Sequence, residues 1–443
     1  MARLPRSRTA LFAGVAVSAA VAIAIPAAAS GASPKVELGR QTLAAGDGWG
    51  SQGTGTTGGA AADSAHVFTV STRSALVAAL ATGTAPKIIY VKNTIKGNVD
   101  ANDKPISCDY YADPEYTLAA YLAAYDPAVW GRTTRPTGPL EDALNRSVAT
   151  QTAAIKLKVP SNTTIVGLGA SARIEGLNLF VSKVDNVIIR NIQFVDAHDC
   201  FPDWDPLDGA TGNWNSEYDN ISVATSTHVW VDHNTFTDGQ NPDSKQPIYF
   251  GRPWQVHDGQ LDITSGSDWV TYSWNVFSNH DKTNLLGSTN SPTADLDKLH
   301  ITAHHNRYSN VIQRLPRVRY GQVHVYDNLY QIPRKTAVNG ESAFEYALGV
   351  GVQSHIYAEQ NAFELGSTVP AGSLLYNWGG TALTAKDNLV NGKPVDIIAE
   401  YNATHDPDFG TDAGWTPSLV GHVDPAAKVS AIVRAYAGVG RVS

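Results

Sequence analysis

The sequence predicts an all-β protein, a parallel β-helix or solenoid carrying long loop insertions and a few short helices. Three observations predict it. A module of apolar alternation recurs, followed by Asn, one residue, and an aromatic or apolar side chain: NVIIRNIQF, HVWVDHNTF, WVTYSWNVF, LHITAHHNRY, VHVYDNLY, HIYAEQNAF and, more weakly, IIAEYNAT. Its asparagines (Asn191, Asn234, Asn275, Asn306, Asn328, Asn361 and Asn402) lie 43, 41, 31, 22, 33 and 41 residues apart, so a coil of about 22 residues carries insertions of unequal length. A β-sandwich with regular turns would explain the alternation, but not an Asn at the same place in each unit. Asn tolerates a left-handed bend between strands, and stacked copies can hydrogen-bond along the solenoid axis.

The elements follow in chain order. Arg3, Arg6 and Arg8 precede an alanine-rich apolar run from Ala10 to Ile25, then Pro26 and small residues, the pattern of a secretory signal. Residues 1–32 are therefore expected to be removed, with cleavage near Ala29 to Ala32, and the protein to act outside the cell as a monomer. The run is short for a membrane anchor. Residues 33–62 form a Gly/Thr-rich segment whose core, GDGWGSQGTGTTGG, reads as a flexible linker. Residues 63–443 form one catalytic β-helix domain. Within it Thr72 can cap a helix over Arg73 to Leu80, which would cover an open sheet end. Lys87 to Ile95 reads as a strand. The Tyr-rich stretch DYYADPEYTLAAYLAAYDP reads as a helical excursion, and the repeats begin at Thr163.

Charge and cysteines narrow the function. Taking the three leader arginines from the 33 basic residues leaves 30 against 41 acidic ones, net −11. Such a chain has no global field to draw in nucleic acid, so an anionic ligand would need a local basic cluster. Cys108 and Cys200 are the only cysteines, and a disulfide between them suits an oxidising compartment.

The candidate site sits between the repeats. Asp258 and Asp262 are four apart in WQVHDGQLDI, which in an extended strand separates their side chains by about 13 Å. They meet around one ion only if the backbone bends, which Gly259 permits, and if another carboxylate arrives from a neighbouring coil. Glu217 and Asp219 lie just before the strand Ile221 to Val223, and Asp262 before the corresponding strand one coil later. Adjacent strands are about 4.8 Å apart, so the acids can meet. Three or four carboxylates without Cys or a metal-type His pattern suit a hard cation such as Ca2+. His304 and His305 are neighbours expected on opposite faces of a strand, which argues against one shared metal. Lys282, Arg314 and Arg319 come from successive coils and fall at the same side of the repeat as the acids.

Several motifs in order, GTTGG, WVDHNTF, DGQLDI, SNHDK and RLPRVRYGQVHVYDN, resemble those of the extracellular pectate lyases of polysaccharide lyase family 1, from about Gly46 to the region of Trp415. The resemblance implies a right-handed parallel β-helix and Ca2+-dependent cleavage of polygalacturonate, de-esterified pectin. It further implies Asp219, Asp258 and Asp262 as calcium ligands, Arg314 as catalytic base, and Lys282 and Arg319 as binders of substrate carboxylates. Glu217 matches a position that is acidic in some members only. Asp232 and His233 fall in a motif expected to support the fold.

The chemistry is then β-elimination, in which a base removes the C5 proton, the C4 oxygen departs, and a 4,5-unsaturated end results. Guanidinium normally keeps its proton; crowding by Ca2+, Lys282 and Arg319 is expected to favour the neutral base and an alkaline optimum. Three aspartates, one Ca2+ and three cationic side chains leave about +2, which suits an anionic polymer. Trp204, Trp214, Trp254 and Tyr320 are expected to pack the loops rather than stack on sugars. Open alternatives are a metal-independent pectin lyase, a β-helix glycoside hydrolase with paired acids, and a glycan-binding solenoid.

Overall fold

The computed structural model describes residues 37–291, 294–335 and 343–442; the signal assigned to residues 1–32 lies outside them. Residues from Glu37 onward cluster as one compact unit. Its frame is three sheets of ten, ten and eight strands, each built by stacking the same strand of successive coils. It is a right-handed parallel β-helix. One coil shows the plan: Leu261–Thr264 lies in the eight-stranded sheet, Asp268–Ser273 in the first ten-stranded sheet, and Val276–Lys282 in the second. These pair in parallel with the coils on either side.

The asparagine ladder runs along the bend between the two ten-stranded sheets. Asn234, Asn275, Asn306, Asn328 and Asn361 each donate Nδ2 to the Oδ1 of the next, at 3.0 or 3.1 Å, ending on Asn388. Two details differ from expectation. The left-handed residue is the one before each ladder Asn, with φ of 51° at His233, 55° at Trp274, 54° at His305 and 53° at Asp327. The ladder side chain instead satisfies buried amides such as those of Ile192 and Asn234. The members also shift at both ends. Asn191 lies one residue early in register and itself takes φ 58°, whereas Asn402 ends a helix, Ile397–Asn402, outside the ladder.

The aromatic of each module points inward. Phe194, Phe236, Phe277, Tyr308, Tyr330 and Phe363 stack one per coil, with ring centroids 4.5 to 5.2 Å apart and nearly parallel planes. This column fills the interior with large apolar area while adding favourable offset-ring contacts.

Helices close the exposed surfaces. Helix α1 (Arg73–Leu80) is capped by the Thr72 hydroxyl, which accepts from Ala75 N, and it buries Leu76, Ala79 and Leu80. Helix α2 (Leu118–Tyr125) is the helical excursion, and α3 (Pro139–Ile155), not anticipated from the sequence, follows it. The Lys87 to Ile95 stretch is two strands, Lys87–Val91 and Thr94–Lys96, split where Asn93 turns at φ 62°. Near the C-terminus, Ala426–Tyr436 packs Val429 and Val433 against Leu329 and Ala362.

The Gly/Thr-rich segment is not a free linker. It lies across the first ten-stranded sheet, where Gly50 N donates to Thr271 Oγ1 and Gly59 N to Thr164 Oγ1. A Cβ on Gly59 would sit 1.9 Å from Lys87 O, so glycine serves close backbone approach here. Cys108 and Cys200 are disulfide-bonded, joining the segment before α2 to a loop that precedes the acidic site.

Candidate active site

The candidate residues gather where the second ten-stranded sheet passes into the eight-stranded one. Long insertions, residues 196–220 and 238–260, enter the strands Ile221–Ala224 and Leu261–Thr264 at this corner. The register places Asp262 opposite Ser222 and inside its strand rather than before it. Asp219 therefore reaches it from the end of its loop. The Ser222 hydroxyl donates to Asp219 Oδ2 at 2.5 Å, and Gly259 N donates to Asp219 Oδ1 at 2.8 Å. Asp262 Oδ1 accepts from Leu285 N at 2.9 Å. One carboxylate oxygen from each of Asp219, Asp258 and Asp262 lies within 4.8 Å of the other two.

Gly259 serves a different purpose from the one expected. Its φ is not left-handed, and a Cβ there would meet Asp262 Oδ1 at 2.4 Å and Asp219 Oδ1 at 2.7 Å. Glycine is required because the acids crowd the backbone.

The cations come from the next coils. Lys282 ends the strand Val276–Lys282 and sets Nζ 3.1 Å from Asp258 Oδ1. Lys282 pairs in register with Gln313, so Arg314, the next residue, emerges beside it at φ 60°. Arg319 is held from the loop on the far side of the eight-stranded sheet, donating Nη1 to Gly287 O and Nε to Asn290 Oδ1. Arg317, not singled out in the sequence, completes the row and lies 3.7 Å from the Trp378 ring centroid.

Electrostatics set the character of this corner. Burial, then Asp258, pushes Asp219 up to about 6. Burial and the two neighbouring aspartates push Asp262 well above the ordinary carboxylate range. Burial would also raise Asp258, but Lys282 and Arg314 outweigh it and hold it below. Like charges this close need a cation or a proton. An all-oxygen donor set, buried at Asp219 and Asp262 and partly open at Asp258, fits a hard divalent ion. For Arg314 the balance is opposite to the expected one. Burial disfavours its charge, yet Asp258 and Asp262 prevail and raise its pKa while nothing neutralises them. Its buried Nε has no hydrogen-bond partner among the described residues.

The remaining candidates fall elsewhere. The Glu217 side chain is exposed and lines a separate pocket with Arg135, Glu141 and Asp203, outside the three-carboxylate group. Trp204 and Trp214 are fully buried against each other and Phe250, as packing residues. Trp254 joins them, and the Tyr320 hydroxyl donates to Asn290 O. Asp232 is buried between Arg190, His233 and Ser273, part of the scaffold. His304 and His305 do not point apart, because the bend at His305 brings their Nδ1 atoms to 2.9 Å.

Sequence and structure comparisons point to one family. A profile described as pectate lyase matches residues 15–118 and 136–420. A pectate lyase of Bacillus subtilis (strain 168) is 48% identical over 409 residues, covering 92% of this chain and 95% of its own length. Among solved structures, a thermostable pectate lyase superposes with a TM-score of 0.89 at 45% identity, over 92% of this chain and 100% of its own. A pectate lyase bound to a hexasaccharide gives 0.87 at 47% identity, with the same coverage.

Proposed function

This chain belongs to the pectate lyase family, polysaccharide lyase family 1, and from that premise we propose that it cleaves polygalacturonate by Ca2+-assisted β-elimination with Arg314 as base. The observation that carries the reading is the interleaving of Asp219, Asp258 and Asp262 with Lys282 and Arg314 in one buried corner. Asp219, Asp258 and Asp262 would hold the ion, which when bound supplies electrostatic stabilisation of the charge developing on the uronate carboxylate. With the aspartates so neutralised, the attraction that keeps Arg314 protonated is removed, and the neighbouring Arg317 and Arg319 disfavour its charge. Arg314 then takes the C5 proton. The electron pair of that C–H bond becomes the C4–C5 double bond, and the C4–O pair leaves with the departing sugar. Lys282 and Arg319 orient the chain by pairing with its carboxylates. The Cys108–Cys200 bond supports action in an oxidising, extracellular setting. Among the described residues no helix is long and apolar enough to cross a membrane. We place the enzyme outside the cell, working as a monomer.

The test follows absorbance of the unsaturated product on polygalacturonate, with Ca2+ or with chelator, for the parent and Arg314→Lys. Chelation should abolish turnover. The substitution should lower kcat by about 10²- to 10⁴-fold with Ca2+ affinity and circular dichroism retained. Turnover by Arg314→Lys equal to the parent's would remove Arg314 as base, and activity indifferent to chelator would remove the ion.

A further inference from the structure

A second set of metal-ligating side chains lies at another corner of the coil, on the bend that carries the asparagine ladder. His305 Nε2 is 3.2 Å from Asp424 Oδ2 and 3.5 Å from Asp327 Oδ2. Asp424 N also donates to Asp327 Oδ2 at 2.7 Å, which fixes the two acids against each other. Zinc takes nitrogen and carboxylate oxygen at about 2.0–2.2 Å in a tetrahedron, whose edges are then about 3.3–3.6 Å. The two spacings from His305 lie close to those edges, and the ligand atoms of all three residues lie within 4.8 Å of one another.

One contact sets the histidine tautomers at this corner. The His304 and His305 rings meet through their Nδ1 atoms at 2.9 Å, so one of them donates and the other accepts. If His305 donates, its Nε2 carries no proton and faces Asp327 and Asp424 bare. If His304 donates, its own Nε2 is bare at 3.4 Å from Asp47 Oδ1. Either way one ring Nε2 without a proton lies beside an acidic side chain, at residues that are themselves buried. Asp327 is fully buried, and its Oδ1 has no hydrogen-bond partner among the described residues. That independent vacancy in the bonding also asks for a cation.

We propose that His305, Asp327 and Asp424 bind a divalent transition metal of the Zn2+ class. His305 Nδ1–H then donates to His304 Nδ1, His304 Nε2–H faces Asp47, and two carboxylates balance the ion's charge. A metal-bound imidazole that donates its other N–H is the arrangement that fixes its tautomer and raises its basicity. The exposed His422 lies on the other side of Asp424, its Nε2 3.2 Å from Asp424 Oδ1, and holds that carboxylate in place. His305 and Asp327 belong to consecutive coils, whereas Asp424 opens the segment leading into the helix Ala426–Tyr436. The ion would thus pin the C-terminal segment to the solenoid.

The experiment uses the full chain, stripped with chelator and returned to saturating Ca2+ so that the Asp219, Asp258 and Asp262 group is occupied. Zn2+ is titrated by calorimetry, and Co2+ by its visible d–d absorption. The parent should bind one equivalent of Zn2+ and raise its Tm, and should show a Co2+ spectrum that Zn2+ displaces and Ca2+ does not. Asp424→Asn, at a partly exposed position away from the reacting groups, should weaken Zn2+ at least about 100-fold while keeping its turnover of polygalacturonate. No saturable Zn2+ binding by the parent overturns the proposal, as does Asp424→Asn binding equal to the parent's. The Co2+ spectrum of the parent needs no variant, so its absence overturns the proposal even if Asp424→Asn misfolds.

Discussion

Gly259 is where backbone and carboxylates approach most closely, and a single methyl tests that approach. Gly259→Ala would drive a Cβ to within 2.4 Å of Asp262 Oδ1 and displace two of the three acids. Ca2+ affinity by calorimetry should fall at least about tenfold, whereas a harmless alanine would show that the acids have room to spare. A pH dependence follows from the same group. A carboxyl whose pKa rises on folding keeps its proton in the native state after the unfolded chain has lost it. Between the ordinary value of 3.8 and about 6, the Asp219 pKa, the native state binds more protons, so stability falls as pH rises. Asp262 acts in the same direction. In chelator this should remove about 3 kcal/mol for Asp219 alone, and the Tm gained on adding Ca2+ should grow across that window. A gain that is constant from pH 4 to 7 would contradict the shift. The three clustered acids, Lys282, Arg314 and Arg319 were nameable from their repeat positions and the motif resemblance. Arg317 was not, because one arginine between two others has no distinguishing spacing, and its neighbour Trp378 is remote in sequence.

At the scale of elements, the ladder and the aromatic column explain why the coils keep register despite insertions of such different length. Asn306 Oδ1 accepts both the amide and the side-chain Nδ2 of Asn275, while its own Nδ2 reaches Tyr272 O and Asn328 Oδ1. Asn306→Ala leaves buried groups without partners and should cost about 3 kcal/mol, read as a lowered Tm in calorimetry. A loss below about 0.5 kcal/mol would mean that the ladder is ornamental. The repeat was legible because one side chain per coil does the same job each time. Its ends were not, since Asn191 and Asn402 reproduce the local spelling without the register. A motif read along the chain cannot see the neighbour above it. Helix α3 was hidden for a related reason: its polar surface obscures the few residues it buries, Ala143, Leu144, Gln151 and Ile155 among them.

For the molecule as a whole, the disulfide and the Gly-rich strip govern integrity. Replacing Cys108 and Cys200 by Ser should cost about 2–5 kcal/mol, because the bond ties positions 92 residues apart. Reduction that leaves Tm unchanged would show the tether to be redundant. The strip was misread because glycines that permit flexibility also permit contact. Only the sheet beneath it, with Thr164, Thr271 and Thr302 turned outward to meet its amides, distinguishes the two.

The end of the solenoid has a consequence of its own. Among the described residues the strands of the three sheets pair in parallel except at the end of the second ten-stranded sheet, where Leu389–Val390 meets Lys393–Pro394 in antiparallel fashion. A parallel stack is open-ended by construction and would accept another molecule's strand as readily as its own. Turning the final strand back, with a proline in it, leaves a mismatched template to any incoming chain. At the opposite end α1 lies against the first strand, Val67–Val70. In the second ten-stranded sheet the parallel stack, which resembles a fibril in cross-section, is closed against extension by another chain.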